Sequence, residues 1–322
     1  MRAIRIIEPG PLATVQDLGR FGFRDKGVPM SGAMDQQALR VGNLLVGNPI
    51  GAACLEITLS GFRAEFQCGV HFALTGADMA ASLDGHTLPT WTCCFAEQGA
   101  IIELGLPASG SRTCLVIQGG IDVPPVMCSR STFLRGRFGG FHGRPLRKGD
   151  ILRLGDPVGR PIREFPAALI PPYSVHPVLR AVPGPQDDCI SPCGLETFFS
   201  AEYEVSSRSD RMGSVLAGPI VEHKWGGDII SDGACPGAVQ APGNGQPVIL
   251  GNDCQTTGGY VKVATIIAVD LSLAGQLGPG VRVRFEKVSL DQARLAYLRN
   301  EYLLRNFYEK YRERSYESRC QL

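Results

Sequence analysis

The stretch Pro279-Gly280-Val281-Arg282-Val283-Arg284-Phe285 alternates apolar and basic side chains directly after a Pro-Gly turn. Successive side chains of a β-strand point to opposite faces, so this alternation predicts a strand with one buried and one solvated face. Residues 148–154 show a similar arrangement, a glycine turn followed by an alternating strand. We therefore expect strands in both halves of the chain, and the match is consistent with an internal duplication.

Further short β-type runs extend outward from this stretch and are separated by turn residues. The 322-residue chain has 40 glycines and 23 prolines, and the turn dipeptides Asp84-Gly85 and Asn244-Gly245 lie between such runs. Many short strands with dense turn signals are typical of a barrel or a sandwich, so a mainly β fold is predicted. The predicted strands are residues 62–66, 72–75, 101–104, 113–117, 151–154, 248–250, 261–269 and 281–285.

Two helices are predicted. The first covers residues 33–46, with Ser31 as its candidate N-cap and Gly47 at its stop signal, because apolar residues recur at helical spacing: Ala38, Val41, Leu44 and Leu45. The second runs from about residue 290 to residue 317 and begins at a capping-box pattern of Ser289 and Gln292. It is interpreted as a packed or partner-binding helix, with an apolar stripe formed by Leu295, Leu298, Tyr302, Tyr308 and Tyr311.

A proline-rich stretch between residues 165 and 177 is the candidate linker of the chain. It divides the sequence into an N-terminal β-rich lobe at residues 1–165 and a C-terminal β-barrel lobe at residues 177–288. Residues 289–322 form a C-terminal helical tail.

Composition excludes several classes of function. Lys plus Arg (32) nearly balances Asp plus Glu (31), so no basic field is available for nucleic acid. The sequence shows neither a signal peptide nor an apolar run of about eighteen residues, so we expect a cytoplasmic protein that does not enter a membrane. Eleven cysteines without a Cys-x-x-Cys pair and five scattered histidines predict reduced thiols and no metal site.

Familiar catalytic and cofactor motifs are also missing from the sequence. No Gly-x-x-x-x-Gly-Lys-Ser/Thr loop occurs, so no nucleotide site of that kind is expected on this chain. Gly-x-Ser-x-Gly and His-Glu-x-x-His are absent as well. No Met-Lys pair offers the lysine setting of a biotin carrier, so any biotin would arrive on another protein.

The candidate site residues come from clusters that combine glycine with polar side chains. Glycine lets the backbone approach a ligand closely, while Gln, Asn and Thr suit neutral amides and Arg holds carboxylates. Each cluster taken alone has a simpler explanation, since an Asp beside an Arg braces a turn and a Gly-rich run forms a hairpin. The clusters are residues 14–20, 27–35, 207–213, 236–242 and 251–260.

The order and content of these clusters resemble the family of allophanate hydrolase subunit 2, KipA and the 5-oxoprolinase C subunit, which is biotin-dependent carboxyltransferase-like. The resemblance extends to about Phe285. In the first part it rests on Thr14-Val15-Gln16-Asp17-Leu18-Gly19-Arg20, Gly32-Ala33-Met34-Asp35, Asn43-Leu44-Leu45-Val46-Gly47-Asn48 and Leu55-Glu56-Ile57-Thr58-Leu59. Further matches are residues 73–77, 119–127, 129–132, 183–185, 209–213, 237–242 and 255–260. One departure is Val281, where family members often carry an Asp after Pro-Gly; we interpret that position as a turn.

The resemblance implies cyclophilin-like β-barrel lobes and three competing roles. In the first, the chain is the C subunit of an ATP-dependent 5-oxoprolinase, with a KipI-like partner and a LamB/YcsF-like partner, and ATP is bound by or shared with one of them. In the second, it is a carboxyltransferase acting on urea or a related amide, with biotin carried by another protein. In the third, it is a KipA-like regulator that binds a KipI-like kinase inhibitor.

We favour the 5-oxoprolinase role, because the chain is neither fused to a biotin carboxylase nor carries biotin. Asp253 is the candidate general base, and Arg20 or Arg211 is the candidate for binding the substrate carboxylate. Gln240, Gln255 and Thr257 would hold the lactam amide. The remaining candidates for substrate binding are Asp35, Asp210, Asn252 and Tyr260.

Overall fold

The structure is a computed structural model that describes residues 1–162 and 164–317, with side chains described as far as Glu309. Eleven strands lie in the first half of the described chain. They are β1 Ala3–Pro9, β2 Leu12–Gln16, β3 Cys54–Thr58, β4 Phe62–Phe66, β5 Val70–Asp78, β6 Ser82–Leu83, β7 His86–Thr87, β8 Cys93–Ala96, β9 Ile101–Leu104, β10 Ser109–Ile117 and β11 Ile151–Arg153.

These strands form two sheets packed face to face. One sheet has the order β11-β1-β4-β9-β6-β7 and the other β2-β3-β10-β5-β8. In β4 the apolar residues Phe62, Ala64 and Phe66 are fully buried while Arg63 and Glu65 are only half-buried, as a strand with one face on a core requires. Apolar side chains of both sheets meet in one shared core.

Helix α1, Gln36–Leu45, covers the outer face of the second sheet. Its N-cap is Asp35, whose Oδ1 accepts a hydrogen bond from the Ala38 amide at 2.9 Å. The assignment of the cap to Ser31 is therefore wrong. Ser31 has a φ of 55°, in the left-handed region, and lies four residues before the cap position.

The second half of the chain forms a closed barrel of seven strands. The strand order is β12-β19-β13-β14-β17-β16-β18, and β18 pairs back onto β12, while β15 pairs with β18 as an added edge strand. The barrel is filled by its own apolar core. The strands are β12 Val178–Pro183, β13 Glu202–Val205, β14 Gly213–Ala217, β15 Asp228–Gly233, β16 Ala238–Ala241, β17 Val248–Leu250, β18 Thr257–Ile266 and β19 Arg282–Lys287.

In the described residues, three further α-helices accompany the barrel: α2 Pro192–Ser200, α3 Leu271–Ala274 and α4 Leu290–Glu317. The capping box of α4 is confirmed, because the Ser289 amide donates to Gln292 Oε1 at 2.8 Å and the Gln292 amide donates to Ser289 Oγ at 3.2 Å. The face of α4 that packs against the N-terminal half carries Leu304 and Phe307.

The stripe predicted for α4 is not that packed face. Leu295, Leu298 and Tyr302 are 67%, 53% and 64% exposed, so α4 packs through Leu304 and Phe307 and not through these three residues. Tyr308 is also exposed, and the side chain of Tyr311 lies outside the described residues. That the stripe binds a partner stays a prediction.

The mainly β prediction is confirmed, and every predicted run coincides with a strand. The run predicted for residues 261–269 ends earlier, at Ile266, because the chain turns at Ala268–Asp270. The division at the proline-rich linker stays a prediction, as does the cytoplasmic location. In the part of the chain that the structure describes, no helix combines the length and apolarity needed to cross a membrane.

Candidate active site

Polar and glycine-rich loops from the two halves of the chain meet at one interface. The Ser31 amide donates to the Asn252 carbonyl at 2.9 Å, and Asn252 Nδ2 donates to the Ala33 carbonyl at 2.6 Å. Arg211 Nη2 donates to the Gly32 carbonyl at 2.6 Å. The structure thus brings the clusters at residues 27–35, 207–213 and 251–260 together.

Arg211 is the centre of a buried ion network across this interface. Its Nε and Nη2 donate to the two oxygens of Asp253 at 3.0 and 3.2 Å, and its Nη1 donates to Glu56 Oε1. Glu56 Oε2 accepts the Met34 amide at 2.6 Å. Burial disfavours the guanidinium charge, but the attraction of Asp253 and Glu56 and their hydrogen bonds outweigh it and raise the pKa of Arg211. Every nitrogen of this guanidinium is therefore engaged within the protein.

Arg20, also buried, has a different environment. Its Nη2 donates to the Ser131 carbonyl at 2.5 Å, and its guanidinium carbon lies 4.9 Å from the centre of the Phe138 ring. Nε and Nη1 are buried and find no acceptor among the described residues. Burial lowers the pKa of Arg20, and the nearby charges of Asp17 and Asp253 oppose that shift.

Asp17, although close to Arg20, is occupied by the loop at residues 129–131. Its Oδ1 accepts Ser129 Oγ at 2.7 Å and Ser131 Oγ at 2.5 Å, and its Oδ2 accepts the Arg130 amide at 2.5 Å. It therefore braces the loops around Arg20 and leaves Nε and Nη1 of Arg20 without an acceptor.

Two more buried N–H donors without a described partner belong to Gln240 and Arg24. Gln255 Nε2 donates to Gln240 Oε1 at 3.3 Å, which leaves the Nε2 of Gln240 unpaired. Arg24 donates through Nη2 to the Ala234 carbonyl and interacts with Cys254, while its Nη1 is unpaired. Gln240 and Arg24 thus interact directly with segment 251–258, while Arg20 is linked to it through the charge of Asp253.

Glycine at position 258 makes room for this arrangement. A Cβ placed there would lie 2.6 Å from Gln240 Nε2 and 3.3 Å from Gln255 Nε2. A larger residue at this position would displace the Gln240 amide and crowd that of Gln255, so glycine lets the backbone at position 258 lie close to both side chains.

The other predicted site residues are placed as follows. Asp35 caps α1 and also accepts Tyr173 OH at 2.6 Å and Gln276 Nε2 at 2.8 Å. Asp210 accepts the Met212 amide at 2.7 Å, as a residue bracing a turn does. Thr257 and Tyr260 are exposed on β18 opposite the edge strand β15. Asp35 and Asp210 thus have structural partners, and binding roles for all four stay predictions.

Four residues of this region were not predicted from the sequence: Glu56, Arg24, Asp232 and Lys262. Glu56 belongs to a family-like motif on an ordinary strand, and no neighbouring residue in the sequence indicates that it is the partner of Arg211. Lys262 carried a usable signal, since it is a charged residue inside the apolar run 261–269. It is buried, and its Nζ lies 3.0 Å from Asp232 Oδ2.

The chemistry of these donors selects the kind of ligand that fits. Unpaired guanidinium and amide N–H groups need carboxylate or carbonyl oxygens. Among the described residues no group of three or more His, Cys, Asp and Glu side chains could hold a metal ion. The N-termini of α1 and α2 are capped by the side chains of Asp35 and Ser191.

The chain belongs to the carboxyltransferase-domain family: the family described as "Carboxyltransferase domain, subdomain A and B" matches residues 26–287.

The proteins that are similar to this chain include 5-oxoprolinase C subunits and a urea carboxylase. The chain is 41% identical over 295 residues to the 5-oxoprolinase C subunit of Escherichia coli, a match that covers 90% of this chain and 93% of the relative. It is 36% identical to the 5-oxoprolinase C subunit of Haemophilus influenzae, covering 94% and 96% of the two chains. Among solved structures, the urea carboxylase of Kluyveromyces lactis superposes with a TM-score of 0.90 at 31% identity, covering 95% of this chain but 29% of that protein.

Proposed function

We propose that this protein is the C subunit of an ATP-dependent 5-oxoprolinase complex that opens the lactam of 5-oxoproline to L-glutamate. The observation that carries the proposal is the end-to-end match with two proteins named as 5-oxoprolinase C subunits, 93% and 96% of whose lengths are covered. The urea carboxylase is a much longer chain, of which 29% is covered.

The unpaired donors around segment 251–258 support a substrate rich in oxygen acceptors. 5-Oxoproline carries a carboxylate and a lactam carbonyl on one small ring. Arg20 is a better candidate for the carboxylate than Arg211, because Nε and Nη1 of Arg20 have no acceptor in the described part of the chain while Arg211 is already engaged by Glu56 and Asp253. In this proposal Gln240, Gln255 and Thr257 hold the lactam amide, and Asn252 and Tyr260 complete the binding surface.

Asp253 is the proposed general base for the attacking water. Each of its carboxylate oxygens accepts one N–H from Arg211, which fixes the orientation of the group and leaves a further lone pair on each oxygen. Asp35 and Asp210 would contribute indirectly, by holding α1 and the turn at residues 210–213.

The proposal assigns ATP and part of the assembly to partner proteins. ATP supplies the free energy for opening the ring, and we place its site on a KipI-like partner or a LamB/YcsF-like partner, in a cytoplasmic complex. The residues of this chain would bind and orient the lactam.

The test is reconstitution of the complex from its purified components. We expect ATP hydrolysis that depends on 5-oxoproline, glutamate formation in equal amount, and no activity when this chain is omitted. A complete complex that forms but shows no 5-oxoproline-dependent ATP hydrolysis would contradict the proposal.

A second candidate is a biotin-dependent carboxyltransferase acting on urea or a related amide. The structural match to urea carboxylase favours it, because 95% of this chain superposes on that protein. The carbonyl oxygens of its substrates would accept hydrogen bonds from the same N–H donors. Biotin would arrive on another protein. Consumption of carboxybiotin with formation of an N-carboxylated amide, and no effect of 5-oxoproline on ATP hydrolysis, would establish this role in place of the first.

A further inference from the structure

Lys262 is a buried cation that the proposed binding set does not use. It lies on β18 with its side chain 4% exposed, and its Nζ contacts Asp232 of the edge strand β15 at 3.0 Å. Gln186 Nε2 donates to the same Asp232 oxygen at 3.1 Å. An ammonium has three N–H donors, and this contact with Asp232 engages one of them.

The neighbours of Lys262 place it beside the unpaired amide of Gln240. Gln240 on β16 is the direct cross-strand partner of Lys262, and paired residues of adjacent strands have Cβ atoms about 4.5–5.5 Å apart. Asp232, which holds the ammonium, is the cross-strand partner of Gly258. Because a Cβ at Gly258 would lie 2.6 Å from Gln240 Nε2, the ammonium and the unpaired amide both lie close to Gly258.

The ion pair alone does not account for burying this lysine. Removing an ammonium from water is unfavourable unless its partner and hydrogen bonds compensate. Here the partner carboxylate is 55% exposed and screened by solvent. If Lys262 only held the edge strand in place, its burial next to Gln240 would contribute little to stability.

We propose that Lys262, together with Gln240, binds the carbonyl oxygen of the lactam and stabilises the negative charge that develops there when water attacks. This inference rests on the proposed function and adds a catalytic residue to it. A donor held in a water-poor site acts most strongly on charge that appears in the transition state. Lys262 should therefore affect kcat more than the affinity for 5-oxoproline.

The experiment measures steady-state kinetics of the reconstituted complex with Lys262→Met and Lys262→Gln. Methionine removes the charge at similar length, and glutamine also removes it but keeps an N–H donor for Asp232. We expect kcat to fall about 100-fold in both variants, with KM within about threefold of wild type. Lys262→Arg, which keeps the charge, should recover at least about a tenth of the wild-type kcat.

Lys148→Met is the matched control, since it removes the same charge from an exposed turn, and it should leave kcat and KM unchanged. Calorimetric melting of the isolated chain shows whether each variant is folded. An active wild-type complex whose folded Lys262→Met and Lys262→Gln variants keep their kcat would overturn the assignment of Lys262 alone. A wild-type complex without 5-oxoproline-dependent activity would overturn the proposed function and this inference with it.

Discussion

Two buried arginines carry charges that interact with Asp253, and they differ in how far their hydrogen bonds are satisfied. Arg211 is 4% exposed and is bonded through all three nitrogens to Asp253, Glu56 and the Gly32 carbonyl. Arg20 is 0% exposed and has two nitrogens without an acceptor among the described residues. A satisfied buried charge holds two lobes together, while an unsatisfied one costs stability and is suited to a ligand.

The largest expected effect is a loss of stability when Arg211, the arginine with satisfied hydrogen bonds, is replaced. Arg211→Met leaves the carboxylates of Glu56 and Asp253 buried without their counter-charge, which should lower the free energy of unfolding by about 3–5 kcal/mol. Urea unfolding of the isolated chain measures the loss.

The matched control for that variant is Arg284→Met. Arg284 is 63% exposed and pairs with Glu202 at 3.1 Å, so its loss should cost only about 0–1 kcal/mol. If Arg211→Met were as mild as this control, the interface network would not be what joins the lobes.

The second prediction concerns the unsatisfied arginine. Arg20→Met removes the donors proposed for the substrate carboxylate, and a charge-assisted hydrogen bond contributes about 1.5–3 kcal/mol. KM for 5-oxoproline should therefore rise by about 10- to 100-fold in the reconstituted complex, while the free energy of unfolding stays near wild type or increases. A destabilised Arg20→Met variant with unchanged KM would contradict the proposed difference between Arg20 and Arg211.

The third prediction applies the same reasoning to a neutral donor. Gln240→Leu removes the unpaired Nε2, and since a neutral hydrogen bond contributes about 0.5–1.5 kcal/mol, kcat/KM for 5-oxoproline should fall by about 3- to 10-fold. Gln246→Leu is the control, because Gln246 is bonded to Gly218 at 3.0 Å in an exposed turn. Equal kinetic effects of the two substitutions would argue against a binding role for Gln240.

The smallest effect concerns an exposed carboxylate. The Lys262 hydrogen bond lowers the pKa of Asp232, with the Gly233 amide and Gln186 contributing. A carboxyl whose folded pKa is lowered contributes stability above its unfolded pKa and loses it as pH falls through the folded pKa. The difference in unfolding free energy between wild type and Asp232→Asn should therefore be constant from about pH 7 to pH 5 and shrink only below about pH 4.

Much of the fold was predictable from local patterns. The alternation in Phe62–Phe66 and the capping box at Ser289 and Gln292 are set by neighbouring residues, and both are present in the structure. The cap of α1 was misassigned because Ser31 and Asp35 are both good capping residues. Their backbone dihedrals, which the sequence does not display, decide between them.

The residue clusters of the site were predictable from the sequence, but the contacts between these clusters were not. The clusters containing Arg20, Arg211 and Gln240 were identified by composition, and the structure shows that they meet. Sequence could not distinguish Arg211 from Arg20, since the difference lies in Glu56, which is 155 residues from Arg211 along the chain. A separation of 210 residues likewise hid Arg24, whose carbonyl partner is Ala234.

The most direct test of the account is a structure of the assembled complex with 5-oxoproline bound. We expect the ligand beside segment 251–258, with its carboxylate oxygens within hydrogen-bonding distance of Arg20 and its lactam carbonyl near Gln240 and Lys262. Density for 5-oxoproline elsewhere in the complex, with the donors of Arg20 and Gln240 bound to ordered water alone, would contradict it.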